Sequence, residues 1–81
     1  MHEISLAQGI LDIVKKEAER NGLKRVSRIG IRIGDSSHME PSSFSFCFDM
    51  IKKGTLAEDA VLDIEKGSTT DDLQVVYMEG D

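Results

Sequence analysis

Val26-Ser27-Arg28-Ile29-Gly30-Ile31-Arg32-Ile33 is the stretch on which the fold turns. Ile29, Ile31 and Ile33 alternate with Arg28, Gly30 and Arg32. Side chains along a strand face opposite sides in turn, so a period of two predicts a strand with one apolar and one mixed face. Gly34-Asp35-Ser36-Ser37 breaks it.

Upstream, Ile4, Ala7, Ile10, Leu11, Val14 and Ala18 recur at helical spacing, with Lys15, Lys16, Glu17, Glu19 and Arg20 filling the other side. That pattern predicts a helix over about residues 4–20, and Asn21-Gly22 supplies its stop. Downstream, Glu40-Pro41 opens a second helix, because proline suits a first helical turn. Phe44, Cys47, Phe48 and Ile51 form its expected inner stripe, widened by Phe46 and Met50, and Lys52-Lys53-Gly54 closes it. Val61 to Glu65 reads as a strand with Leu62 and Ile64 inward. Leu73 to Met78 reads as another, with Leu73, Val75 and Tyr77 inward. Gly67 to Asp72 is a polar connection, so the last two strands are expected to pair as a hairpin.

Helix, strand, helix, strand, strand makes an α+β fold. It is expected to be a two-layer sandwich, a three-stranded sheet with two helices on one face. The open face would carry Val26, Arg28, Gly30 and Arg32, then Val61, Asp63 and Glu65, then Gln74, Val76 and Met78. Its opposite charges are placed to pair across strands. The plain reading is a half-solvated sheet face; the sharper one is an interface, such as a homodimer with a second copy.

Eighty-one residues are one small domain, 1–81, with a modest core. The net charge is −5, unevenly spread. Residues 1–34 hold seven Lys/Arg against four Asp/Glu, a balance of +3; residues 35–81 hold three against eleven, a balance of −8. The acidic half argues against nucleic acid, since phosphate binding needs a basic footprint. No span approaches the ~20 apolar residues of a membrane helix, and no leader pattern opens the chain. A cytoplasmic protein without membrane attachment is expected. Cys47, the single cysteine, sits in the apolar run Phe44-Ser45-Phe46-Cys47-Phe48, where a buried, inert thiol is expected.

The chemistry lies at the start, in Met1-His2-Glu3. Histidine is too bulky for the usual removal of the initiator methionine, so the free amine stays on Met1. That amine, the His2 imidazole and the backbone nitrogens of His2 and Glu3 close five- and six-membered chelate rings. Such rings suit nickel(II) or copper(II) in square-planar nitrogen coordination. Binding displaces amide protons, so affinity should rise with pH. Taken alone, a Met-His start is weak evidence for metal, and a frayed, solvated terminus is the plainer reading of these residues.

The chain resembles the HypA/HybF family, nickel-insertion accessory proteins of [NiFe]-hydrogenase maturation. The resemblance runs through Met1-His2-Glu3-Ile4-Ser5-Leu6-Ala7, Ile31-Arg32-Ile33-Gly34-Asp35 and Glu40-Pro41. It continues in Phe46-Cys47-Phe48-Asp49, Lys53-Gly54-Thr55-Leu56-Ala57-Glu58 and Ala60-Val61-Leu62-Asp63-Ile64-Glu65. It implies a Ni(2+) site on His2, with Glu3 giving its backbone nitrogen. It also implies delivery to a hydrogenase large subunit or to urease, with a maturation GTPase as partner. The family is one of metallochaperones and not of enzymes.

Two positions depart from the family pattern. Relatives carry a zinc domain between the last two strands, built on two Cys-x-x-Cys pairs. Here that place holds the short loop 66–72, and one cysteine cannot make a four-thiolate site. His38 stands in a loop where the family has a smaller residue. A histidine in a Ser-rich turn is ordinarily solvent-exposed, and it would add a nitrogen to the site only if that loop folds near the N-terminus. Glu40 is expected to cap the second helix.

An interaction module that keeps this fold without delivering metal is the alternative function. An enzyme is disfavoured by the absence of a Ser/His/Asp set, a phosphate-cradling glycine loop or a reactive cysteine setting.

Overall fold

The computed structural model describes residues 3–35, 37–68 and 73–81. The elements follow in the order α1 (Glu3–Arg20), β1 (Val26–Gly34), α2 (Pro41–Ile51), β2 (Val61–Gly67) and β3 (Leu73–Gly80). This is the α+β sandwich expected from the sequence. Both helices lie on the face of β1 that carries Ile29, Ile31 and Ile33, and all share one core. Among the described residues no helix is long and apolar enough to cross a membrane.

Helix α1 buries Ala7, Ile10, Leu11, Val14 and Ala18. Ile4, read as part of that stripe, is exposed. The helix ends in a left-handed turn at Gly22, where φ is +69°. Leu23 N–H donates to the Ala18 carbonyl at 2.9 Å and Gly22 N–H to that of Glu19 at 3.2 Å. These two bonds satisfy carbonyls that the helix end would leave orphaned, and Leu23 then packs on the core.

The sheet order is β2-β1-β3, with β1 parallel to β2 and antiparallel to β3. The expected β2–β3 hairpin does not form. Ile29, Ile31 and Ile33 are fully buried, which suits a strand covered on both edges. Central placement also sets Arg28 between acids on both neighbours, Asp63 on β2 and Glu79 on β3, and Arg32 beside Glu65 on β2. Helix α2 makes the crossover that parallel strands require. Of the expected polar connection, residues 69–72 lie outside the described set, as does Ser36 of the break after β1.

Two bulges shift which residues face the core. Val26 pairs with Gly80 and Arg28 with Glu79, so Ser27 is the extra residue on β1. Gly30 pairs with Tyr77 and Ile31 with Val75, so Val76 is the extra residue on β3. A one-residue insertion reverses the alternation beyond it. Val26, expected on the open face, is therefore fully buried. Tyr77, expected inward, covers Gly30 on the open face. Met78, expected outward, packs against the core.

In α2, Phe44 and Phe48 are buried with stacked rings 6.0 Å apart. Phe46 and Met50 do not widen the inner stripe: they are 67% and 48% exposed, on the side of the helix turned from the core. Cys47 is half-buried and packs against the core rather than sitting within it.

Candidate metal centre

Glu3, the third of the expected metal residues, is the first residue of α1 and is half-exposed. Its carboxylate stands in the first turn, where the positive end of the helix favours it. Backbone N–H groups of a first turn have no partner within the helix, so the Glu3 nitrogen is not committed to the helix ladder. Met1 and His2 lie outside the described residues. Among the described residues, no three of His, Cys, Asp and Glu gather closely enough to hold a metal ion.

His38 and Glu40 sit between β1 and α2, and both are exposed. Glu40 takes the N-cap position of α2, with extended backbone (φ −87°, ψ 119°), but its side chain makes no capping bond. Its carbonyl accepts from Phe44 N–H at 3.1 Å. The segment is anchored at several points. Ser37 N–H donates to the Gly34 carbonyl at 3.0 Å, Met39 N–H donates to Ser37 Oγ at 3.1 Å, and the Met39 side chain is buried in the core.

The open face of the sheet carries the densest electrostatic network. Arg28 Nη1 donates to Asp63 Oδ2 at 3.0 Å, and the Tyr77 hydroxyl donates to the same oxygen. Arg28 Nε also lies 3.9 Å from Glu79, and Arg32 Nε donates to Glu65 at 2.9 Å. The expected cross-strand pairing of charges is thus present. The bond from Tyr77, and after it the bond from Arg28, holds the Asp63 carboxyl below its ordinary range. The same bond to Asp63 pushes the Tyr77 phenol up, and Asp63 raises Arg28 further. The sequence reading missed Tyr77 as a member of this group. Gly30 was the available signal, because a glycine within a strand often marks a place where another group must approach closely.

Residues 1–70 match the family described as hydrogenase/urease nickel incorporation, metallochaperone, hypA. The chain belongs to the HypA family. It is 44% identical over 66 residues to hydrogenase maturation factor HypA of Salmonella typhimurium, covering 82% of this chain and 56% of that protein. It is 43% identical over 65 residues to HypA of Methylocella silvestris, covering 80% of this chain and 58% of that one. For Escherichia coli HypA the identity is 41% over 66 residues, with 82% and 57% covered. The chain thus spans little more than half the length of these HypA relatives. Its fold matches the solution structure of the Ni metallochaperone HypA from Helicobacter pylori with a TM-score of 0.89 at 18% identity. That match covers 99% of this chain and 97% of the other. A second HypA solution structure matches with a TM-score of 0.68 at 20% identity, covering 99% and 92%. The sequence matches to relatives span 65 or 66 residues, whereas the fold match takes in β3 as well.

Proposed function

We propose that this chain binds nickel(II) at its N-terminus and carries it for insertion into a [NiFe]-hydrogenase. The ligands are the Met1 amine, the His2 imidazole and the backbone nitrogens of His2 and Glu3. The observation that carries the reading is the position of Glu3, which opens α1 directly behind Met1-His2. Helix α1 is held to the core by five buried side chains, so the Glu3 nitrogen belongs to a firm support. An exposed terminal site releases metal by stepwise ligand exchange more readily than a closed cage. Membership of a family described by nickel incorporation supports the same reading.

In this reading residues 1–81 act as one nickel-binding domain, with the short loop 66–72 in the place of a zinc domain. The partners are a hydrogenase large subunit and the maturation GTPase, with urease as an alternative client, and the cytoplasm is the compartment. The chain performs no catalysis of its own. Calorimetric titration of tag-free protein with nickel(II), beside His2→Ala, tests it. Tight binding lost in the variant is expected; equal, weak binding by both removes the proposal.

A second reading is favoured by the open sheet face, where Val61 is 51% and Tyr77 39% exposed. There the chain acts as an interaction module, toward a maturation partner or a second copy. A complex that forms equally well with and without nickel, and that is lost in Tyr77→Ala, supports it.

A further inference from the structure

We propose that the edge of β3 pairs antiparallel with the same edge of a second copy of this chain. Two sheets then join into one of six strands, about a two-fold axis that passes between Val76 and Tyr77. The inference stands apart from the nickel site and uses the strand edge, not the open face of the sheet.

The two edges of the sheet are built differently. Strands β2 and β3 are the outer ones. β2 turns Asp63 and Glu65 toward Arg28 and Arg32 on the open side, and charges on an edge strand discourage pairing with another chain. β3 opens with Leu73-Gln74-Val75-Val76-Tyr77-Met78, a run without charge or proline. Among the described residues its ladder goes to β1 alone. The backbone groups on its other side are therefore an unprotected template for a further strand.

The bulge says which strand fits. In a regular strand, residues three or five apart face opposite ways. The extra residue Val76 cancels one step of that alternation. Val75 and Met78 consequently both pack against the core. Gln74 and Glu79 both lie on the open side, as register partners of Arg32 and Arg28. Val76 and Tyr77, between them, are both exposed. Followed outward in either direction from the Val76–Tyr77 bond, the order of facing is the same. A two-fold axis there sets Val76 opposite Tyr77 of the second copy, Val75 opposite Met78, and Gln74 opposite Glu79. Every pair matches faces, as directly opposed residues must. No like charges meet, since Glu79 faces a neutral amide and has Arg28 3.9 Å away in its own sheet. An unrelated strand has no reason to repeat this order in reverse, whereas an identical copy related by a two-fold axis does so by symmetry.

The size suits a reversible dimer. The eight residues of β3 are about 27 Å long, and a helix laid on a sheet is about 20 Å thick. Such an edge contact buries roughly 1,000 Å² in total, the lower limit for a specific interface.

The experiment is sedimentation of the full chain up to millimolar concentration, for wild type, Gln74→Glu, Gln74→Lys and Gln8→Glu, with amide exchange of β3 followed by NMR. Wild type should pass from monomer to dimer, and amides on β3 should exchange more slowly in the dimer. Gln74→Glu sets a carboxylate opposite Glu79 twice over and should weaken the dimer about tenfold; Gln74→Lys should tighten it by a similar factor. Gln8→Glu adds the same charge on the exposed side of α1 and should leave the dimer unchanged. Gln74 is also the register partner of Arg32, so the two variants bias the monomer's stability the other way. A tighter Gln74→Lys dimer therefore cannot come from a sturdier monomer. A monomer at every concentration overturns the proposal, as does a dimer indifferent to both changes at Gln74. A dimer whose β3 amides exchange as in the monomer packs face to face and overturns it too. Uptake of an uncharged extended peptide along β3 by a chain that stays monomeric would replace the second copy as occupant.

Discussion

The ring of Tyr77 occupies the space into which a β-carbon on Gly30 would project. The two residues are register partners across β1 and β3. Glycine in a strand interior weakens it, and here the aromatic ring covers the gap while its hydroxyl reaches Asp63 on the far strand. One side chain of β3 thus spans β1 and joins all three strands.

Gly30→Ala sets two effects against each other. Reduced freedom of the unfolded chain favours alanine by about 0.4–1 kcal/mol. The new methyl collides with the Tyr77 ring, and overpacking costs about 1–3 kcal/mol. Tyr77 is partly exposed, so the ring can swing outward and the penalty should stay near the lower end. A net loss of about 1 kcal/mol or less is expected from urea unfolding. In a Tyr77→Ala background the same substitution should become neutral or stabilising; an unchanged penalty there would show that the collision is with something else.

Acid should weaken the sheet through Asp63. Its carboxyl titrates below the ordinary value of 3.8 because Tyr77 and Arg28 donate to the ionised form. The unfolded chain therefore takes up this proton first as pH falls. The stabilisation is fully present above 3.8 and is lost as pH falls through the depressed folded value. In Asp63→Asn the melting temperature should be lower at neutral pH and should fall less steeply in that acid window. Parallel curves for both proteins would refute the linkage. Tyr77 gives the opposite sign: its raised phenol stabilises below 10.0 and loses that effect as pH rises through the higher folded value.

Phe44 and Phe46 are two residues apart and should respond very differently to truncation. Phe44 is fully buried, Phe46 67% exposed. Phe44→Ala should cost about 3–5 kcal/mol, a large part of the total stability of so small a domain. Phe46→Ala should stay within about 0.5 kcal/mol. Urea midpoints of the two variants decide the matter, and similar losses would contradict the placement of α2.

Nickel affinity should rise with pH, because coordination to the backbone nitrogens of His2 and Glu3 expels their protons. A residue fused ahead of Met1 should weaken binding by turning the amine into an amide. Titrations at several pH values, with and without the extension, read both effects. An affinity independent of pH would mean that main-chain nitrogens are not ligands.

The helices and the central strand were legible because their patterns are local. The stripe through Ala7, Leu11, Val14 and Ala18 has helical period, and Ile29 to Ile33 has strand period. Strand order was not legible, since nothing within β2 or β3 states which strand each will border. The bulges were hidden for a related reason. Ser27 and Val76 are extra only relative to a partner strand, so Val26, Tyr77 and Met78 were assigned the wrong faces. Phe46 misled because residue type suggested burial where helical angle forbids it. Of the candidate nickel ligands, Glu3 is the first residue of α1, one ahead of the expected helix start, and the roles of Met1, His2 and Glu3 belong to the proposed function.

The pairing of Gly34 with Gly67 and of Ile33 with Leu73 has an architectural consequence. The exit from β2 and the entrance to β3 straddle the tip of β1, two strand spacings or about 10 Å apart. A chain leaving at one doorway and returning at the other needs only to bridge that fixed gap, and lengthening such a bridge costs little entropy. Additional modules are therefore tolerated there with every ladder left intact, and any such passenger would hang beyond the C-terminal tip of β1.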